Sequence, residues 1–169
     1  MTTAAQETQT VQVYRVYIKA TPQAIWDAIT KPEWTERFGY GGSAEYDLRP
    51  GGAYRALASA EMAAQGAPEV IVDGEVVEAD PPRKLVQTWR MLMDPGMAAE
   101  GFTHLTYELV EGADGVTMLT VTHDLTGAPQ LATVVGGGMA GQGAGGGWSF
   151  VLSSLKTLLE TGESLAWQG

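Results

Sequence analysis

The sequence predicts an α+β domain in which an antiparallel sheet packs against one long C-terminal helix. Seven short runs alternate apolar and polar residues or are rich in β-branched and aromatic residues, which is typical of strands. Consecutive runs lie too close together for helical crossovers, so antiparallel pairing is expected. The last third of the chain contains one amphipathic stretch of helical period, whose apolar side needs a sheet to cover it. The 169 residues suit a single domain.

Composition excludes several classes of function. Apolar residues make up 44% and charged residues 18%, a balance that excludes a disordered chain. No apolar run reaches the roughly 18 residues that span a bilayer, so no membrane insertion is expected. The net charge of −10 disfavours nucleic acid and anionic lipid as partners. The chain has no cysteine, which removes disulfides and thiolate chemistry, and its polar start does not resemble a secretory signal. A cytoplasmic protein is therefore expected.

The N-terminal part predicts a strand followed by two short helices. Residues 1–9 are polar and are interpreted as a flexible leader, so the domain is expected to span 10–162. Residues 10–20 alternate, with one apolar face. Thr21 and Pro22 then supply an N-cap and a first helical residue. A second short helix is expected from Pro32 to Phe38.

The middle of the chain predicts six further strands. Residues 45–58 form two extended runs around Gly51 and Gly52, which suit a tight hairpin. A loop is expected at 60–68. Two pairs of strands follow, at 70–79 with 85–93 and at 102–110 with 116–125, and each pair is separated by turn residues.

The last third predicts a glycine-rich segment and then the long helix. Eight glycines fall within residues 136–147, and this segment is either a hinge or lid beside a cavity or only a flexible connection. Residues 148–160 have helical period, and Gly162 can end the helix. The tail, 163–169, contains an aromatic residue that would either cover a cavity or meet a second subunit. A homodimer is therefore left open.

These segments, in this order, resemble a known superfamily. The stretches AtpQAIWDAITKPEwterF, PGGaY, GEVVEADPPRKLVQTW, HLTYELVEGADGVTMLTVTH and GWSFVLSSLKTLLETG are similar to the START-like (SRPBCC) superfamily. Within it, the chain resembles the family named after the activator of heat-shock protein 90 ATPase, mostly small bacterial proteins. The resemblance covers residues 11–162. It implies a helix-grip fold, in which a curved seven-stranded antiparallel sheet wraps around the C-terminal helix and encloses a cavity.

The parity of the strands predicts which side chains would line that cavity. Alternate residues of a strand point to opposite faces, and the more apolar face should point inward. Plain core packing is the competing interpretation for most of these positions, and it is the more frequent one. The predicted cavity residues are Tyr54, Gln87, Trp89, Met91, Leu105, Tyr107, Leu119, Val121, His123, Trp148, Leu152 and Leu155.

Catalytic motifs are weak. His104 falls on the polar face of its strand and His123 on the apolar face of the next, so the two cannot share a metal ion. No metal and no cofactor are expected. His123 is a weak candidate for a general base, against the commoner alternative of a buried histidine that is satisfied by a hydroxyl. The carboxylates and serines show no spacing typical of a catalytic site.

Three functions remain open from the sequence. The favoured one is binding of a small hydrophobic or amphipathic ligand in the cavity. The second is an enzyme similar to the polyketide cyclases of the superfamily, in which His123 would be the base and Tyr54, Gln87 and Tyr107 would assist. The third is an interaction module that docks on a chaperone. A chaperone partner is not expected, because that activity belongs to longer eukaryotic relatives with an additional N-terminal domain.

Overall fold

The computed structural model describes residues 10–142 and 145–165. The predicted leader, 1–9, and the last four residues of the predicted tail lie outside the described residues. Within the described residues, no helix is long and apolar enough to cross a membrane.

Seven strands form one antiparallel sheet, and short helices interrupt the chain between them. The sheet order is β1-β7-β6-β5-β4-β3-β2, and every neighbouring pair is antiparallel. This arrangement, closed by a long C-terminal helix, confirms the predicted helix-grip fold. The elements are β1 (Val11–Ile18), α1 (Pro22–Thr30), α2 (Pro32–Thr35), β2 (Ser43–Tyr46), β3 (Ala53–Leu57), α3 (Ala60–Ala64), β4 (Val70–Asp80), β5 (Lys84–Met91), α4 (Pro95–Ala99), β6 (Thr103–Glu111), β7 (Thr117–Asp124), α5 (Pro129–Val135) and α6 (Gly147–Thr161).

Several local predictions need correction. The expected loop at 60–68 contains α3, and α2 ends at Thr35 rather than at Phe38. The helices α4 and α5 were not predicted. The strand expected at 85–93 ends at Met91, so Met93 leaves the inner face and is 45% exposed. All these differences fall at element ends or in helices of one or two turns, where local pattern carries little information.

The strands bury the face that their parity predicts. In β7 the burial alternates along the whole strand, and His123, Val121 and Leu119 all point inward. Each pairs with an inward residue of β6, such as Leu105 opposite His123. Since both strands bury the same face, a single core forms between the sheet and the helices.

The C-terminal helix α6 lies over the β1 side of the sheet and also contacts α1 and α5. Its buried stripe includes Trp148, Leu152, Leu155 and Leu158, at helical spacing. Gly162 ends it in the left-handed conformation, with φ of 78°, and its N–H bonds the Leu158 carbonyl.

The hairpin glycines act in two different ways. Gly51 has a φ of 84°, which favours glycine, as the sequence predicts. Gly52 does not have a positive φ. A side chain there would overlap the carbonyl of Asp47, so glycine is required by close backbone approach instead.

Candidate ligand-binding recess

Two clusters of buried apolar residues lie on the inner side of the sheet. The larger cluster joins α1, α5 and α6 to the central strands, and the smaller one consists of Ala44, Tyr54, Ala56, Ile71 and Val72 on β2–β4. Tyr46, Trp89 and Met91 pack against both clusters and are only partly buried. The inner surface between the two clusters therefore stays accessible. We call the surface formed by Tyr46, Tyr54, Trp89, Met91 and Tyr107 the tyrosine recess.

The strand register brings these residues to the same side of the sheet. Tyr46 of β2 pairs directly with Tyr54 of β3, and their ring centroids are 4.5 Å apart. Tyr54 in turn lies opposite Gly74 of β4. A side chain at Gly74 would overlap the carbonyl of Thr88, so only glycine permits this close approach of β4 to β5.

The three tyrosine hydroxyls of the recess are held neutral. Burial raises the pKa of Tyr54 to about 12, although nearby Trp89 and Tyr46 partly oppose this by hydrogen bonding. Burial also raises the pKa of Tyr46 and of Tyr107 well above the ordinary value, and the neighbouring tyrosines add to both shifts. At neutral pH the recess therefore offers uncharged hydroxyl groups.

Gln87 lies at the floor of the recess and is fully buried. Its Oε1 accepts a hydrogen bond of 2.6 Å from the Tyr46 hydroxyl. Its Nε2 is the single buried side-chain nitrogen or oxygen without a hydrogen-bond partner within residues 10–142 and 145–165. A buried donor of this kind costs roughly 1–3 kcal/mol while it stays unpaired.

Charged residues of the same strands face away from the recess. Glu45, Arg55, Asp73 and Arg90 are cross-strand partners from β2 to β5. Arg55 donates to Glu45 at 2.8 Å, and Arg90 donates to both carboxylate oxygens of Asp73 at 2.9 and 2.7 Å. These charges are paired with one another on the outer face, which leaves aromatic, aliphatic and neutral polar groups on the inner face.

His123 borders the recess and is fully buried. Its Nδ1 accepts a hydrogen bond of 3.1 Å from the Trp148 indole, and its Nε2 lies 2.8 Å from Oγ1 of Thr103. The Thr103 hydroxyl donates to the Trp89 carbonyl at 2.8 Å, so it accepts from Nε2–H. Burial lowers the pKa of His123 to about 4, although Asp124 opposes the shift weakly. Because both ring nitrogens are engaged, this geometry does not favour His123 as a general base, and its catalytic role stays a prediction.

The predicted cavity residues fall into two groups. Tyr54, Trp89, Met91 and Tyr107 form the recess, with Gln87 at its floor. The remaining residues, apart from His123, are buried within the larger apolar cluster; they are Leu105, Leu119, Val121, Trp148, Leu152 and Leu155. Trp148 links the two groups, because its ring makes an edge contact with Tyr107 at a centroid distance of 6.2 Å.

One residue of the site, Tyr46, was not a sequence candidate, and the role of a second, Thr103, was not predicted. Tyr46 precedes the glycine hairpin, and its pairing with Tyr54 could have been read from the symmetry of the hairpin. Thr103 shares the inner face of β6 with Leu105, but nothing in the sequence identifies its contact with His123. His104 lies on the outer face and is exposed, opposite to His123 as the parity predicts.

Comparison with known proteins identifies the family. Residues 19–160 match the model of the family described as "Activator of Hsp90 ATPase homolog 1-like protein". The chain belongs to this family. No curated protein matches the sequence.

Solved structures that resemble this member of the family share its fold. CalU16 from Micromonospora echinospora is 22% identical, with a TM-score of 0.62 over 90% of this chain and 77% of that chain. An Hsp90 activator from Plasmodium falciparum is 21% identical, with a TM-score of 0.52 over 69% of this chain and 73% of that chain. The Aha1 dimer from Colwellia psychrerythraea is 18% identical, with a TM-score of 0.60 over 91% of this chain and 98% of that chain.

Over the residues that the structure describes, the remaining surface offers no metal site, but it has a groove. Among the described residues, no group of three or more histidine and carboxylate side chains could hold a metal ion. A groove of about 670 Å³ lies between the start of α1, the turn from β4 to β5 and the end of β6. None of the predicted site residues lines it.

Proposed function

We propose that this family member binds a small hydrophobic or amphipathic molecule in the tyrosine recess. The observation that supports this most directly is the partial exposure of Tyr46, Trp89 and Met91 between two well-packed clusters. Interiors are normally packed to crystal-like density, so accessible aromatic surface on an inner face is typical of a binding site. The neutral hydroxyls around it would orient a ligand that is otherwise held by apolar contact.

The recess combines rigid and adaptable walls. Tyr46, Tyr54 and Trp89 present flat rings with few rotatable bonds, which give contact area at low entropic cost. Met91 is unbranched and flexible, so it can adjust to the outline of a ligand. This combination suits a molecule with aromatic or ring-containing parts.

The first experiment is native mass spectrometry of freshly purified protein, followed by denaturing extraction and identification of any released molecule. We expect one bound molecule per chain. The substitution Met91→Trp should abolish this bound mass, because the larger ring fills the recess. Val110→Trp is the matched control, since Val110 is 55% exposed on the outer face of β6 and should leave the bound mass unchanged.

A second measurement covers a ligand that is lost during purification. A panel of apolar compounds is titrated against the wild type and against Met91→Trp, with tryptophan fluorescence as the signal. Binding to the wild type that disappears in Met91→Trp and persists in Val110→Trp would support the proposal. Absence of binding across the panel, or equal binding by Met91→Trp, would contradict it.

Formation of a homodimer, which the sequence leaves open, is a separate proposal. Light scattering coupled to size exclusion would give a mass near 36 kDa, twice the 17.9 kDa of the chain.

A further inference from the structure

Building on the proposed ligand site, we infer that the ligand is an uncharged, flat molecule with an acceptor oxygen, such as a ketone. This oxygen accepts hydrogen bonds from the Gln87 amide and the Tyr107 hydroxyl.

Within the described part of the chain, the charged side chains of β2–β5 lie on the outer face, which disfavours ionised ligands in the recess. The four basic and acidic side chains that pair across β2–β5 lie on the outer face and neutralise one another there. His123 cannot supply a positive charge without breaking its hydrogen bond from the Trp148 indole. A carboxylate in the recess would thus lose its water without gaining a counter-charge, which is strongly unfavourable.

The unpaired donor supplies the polar part of the recognition. Gln87 directs Oε1 to the Tyr46 hydroxyl, which leaves Nε2 without an acceptor. Because Nε2 is enclosed, a ligand oxygen reaches it only when the side chains that cover it move apart. Oε1 already accepts one hydrogen bond, from Tyr46, so this oxygen needs no donor group from a ligand. An acceptor oxygen, in contrast, would satisfy a buried group that the folded chain leaves unpaired.

Tyr107 is placed to act with Gln87. Gln87 pairs with Leu105 across β5 and β6, so Tyr107 is its diagonal neighbour on the same inner face. Such neighbours have Cα atoms roughly 7–8 Å apart, a distance that two long side chains can close onto one oxygen. The Tyr107 hydroxyl makes no hydrogen bond to any residue that the structure describes. Its oxygen is not among the fully buried atoms that lack a partner, so it keeps some accessible surface. It is therefore available to a molecule in the recess.

The aromatic walls select a flat shape. The rings of Tyr46 and Tyr54 are inclined by 31°, and Trp89 makes an edge contact with His123 at a centroid distance of 5.4 Å. Planar ligands stack on such walls with more contact than flexible chains, and they lose less conformational entropy.

Three matched fluorescent probes test this inference. The first is Prodan, a neutral dimethylamino-naphthyl ketone whose emission depends on hydrogen bonding to its carbonyl. The second is the corresponding naphthoate, in which a carboxylate replaces the ketone, and the third is the parent dimethylaminonaphthalene without either group. We expect Prodan to bind at least about tenfold more tightly than the naphthoate and about 3- to 10-fold more tightly than the parent compound.

Variants then locate the donors. Gln87→Met removes the amide at similar size, and Tyr107→Phe removes one hydroxyl. Each substitution should weaken the binding of Prodan about 3- to 10-fold and leave the binding of the parent compound unchanged. Each should also change the emission maximum of bound Prodan. Tyr17→Phe is the matched control, because Tyr17 is 59% exposed on the outer face of β1.

The outcomes separate this inference from the proposed function. If the naphthoate or the parent compound binds as tightly as Prodan, the inference is wrong, although the recess still binds ligands. If Gln87→Met and Tyr107→Phe both leave the preference for Prodan unchanged, the assignment of the donors is wrong. If none of the three probes binds, the inference is wrong, and the panel of apolar compounds decides the proposed function separately. If Met91→Trp binds a probe as tightly as the wild type does, the proposed function itself fails.

Discussion

The indole N–H of Trp148 donates to Nδ1 of His123 across 3.1 Å. An indole can only donate, so this bond fixes the neutral histidine with its proton on Nε2. The bond continues through Thr103 to the Trp89 carbonyl, and it thereby ties α6 to β7, β6 and β5. His123 is accordingly a connecting residue beneath the recess, which positions Trp148 and Trp89 on either side of it.

Thr103→Val tests this chain of hydrogen bonds. Valine keeps the shape of threonine but cannot accept from His123 Nε2 or donate to Trp89. We expect the free energy of unfolding to fall by about 1–3 kcal/mol, because a buried imidazole N–H is left unpaired. Urea denaturation measures the change. Thr106→Val, on the outer face of the same strand, should change the free energy of unfolding by less than about 0.5 kcal/mol. A loss as large as that of Thr103→Val would contradict the interpretation.

The buried imidazole makes stability depend on pH. His123 has a pKa of about 4 in the folded chain, against about 6.5 when unfolded. Between these values the unfolded chain binds one more proton, so stability is complete above about pH 6.5 and falls as the pH drops toward 4. We expect a loss of about 2 kcal/mol between pH 7 and pH 5. Denaturation at both pH values measures it.

The two histidines provide the control for this pH effect. His123→Gln should reduce the loss of stability between pH 7 and pH 5, although the variant is less stable at neutral pH. His104→Gln should not change the loss of stability between pH 7 and pH 5, because His104 is exposed. The ring protons of His123 should also titrate near pH 4 in NMR spectra of the wild type. Titration near 6.5 would contradict the assignment.

The order of the long elements could be predicted because each depends on its own residues. Strand parity assigned the buried face of β7 correctly, since alternation is repeated over eight residues. The helix α4 carried a usable signal in Asp94–Pro95, because the Asp94 side chain accepts from Met97 N–H and caps it. The helix α5 carried only half of this signal, the proline at its first position, Pro129. Its N-cap, Ala128, makes no side-chain bond, and the missing acceptors come from Glu100, about 30 residues away.

For the candidate site, the sequence predicted only which face of each strand a side chain lies on. Parity placed Tyr54, Trp89 and Tyr107 inward, but packing decides which inward residues keep accessible surface. Leu105 and Tyr107 are two residues apart on one face, yet Leu105 is completely buried and Tyr107 is not. That difference depends on where the helices lie, and α6 covers chiefly the β1 side of the sheet. No local pattern contains this information.

Glu100→Gln tests the long-range cap of α5. The carboxylate of Glu100 accepts from the N–H groups of Gln130 at 2.9 Å and Leu131 at 3.1 Å. An anion at a helix N-terminus also interacts favourably with the helix dipole. We expect a loss of about 1 kcal/mol in the free energy of unfolding, and faster amide exchange at both N–H groups. Glu108 is exposed on β6, so Glu108→Gln should change neither the free energy of unfolding nor the exchange of these two N–H groups.

Gly147→Ala tests whether the glycine-rich segment is constrained at the start of α6. Gly147 has a φ of 66°, and an added Cβ would overlap the Val135 carbonyl oxygen and crowd the Gly137 N–H. The N–H groups of Gly146 and Gly147 also donate to the Tyr40 hydroxyl at 2.8 and 3.2 Å, which anchors this point of the chain. We expect Gly147→Ala to cost at least about 2 kcal/mol in the free energy of unfolding, because positive φ and overlap act together.

Gly141→Ala is the matched control within the same segment. Among the residues that the structure describes, none has an atom within 4 Å of a Cβ at this position, and Gly141 does not have a positive φ. Alanine there should leave stability unchanged or raise it by roughly 0.4–1 kcal/mol, because the unfolded chain loses freedom. Thermal unfolding of both variants tests one interpretation of the segment, that it is only a flexible connection. A purely flexible connection would tolerate alanine equally at both sites, whereas loss at Gly147 alone would show that the end of the segment is a fixed support for α6 and Trp148.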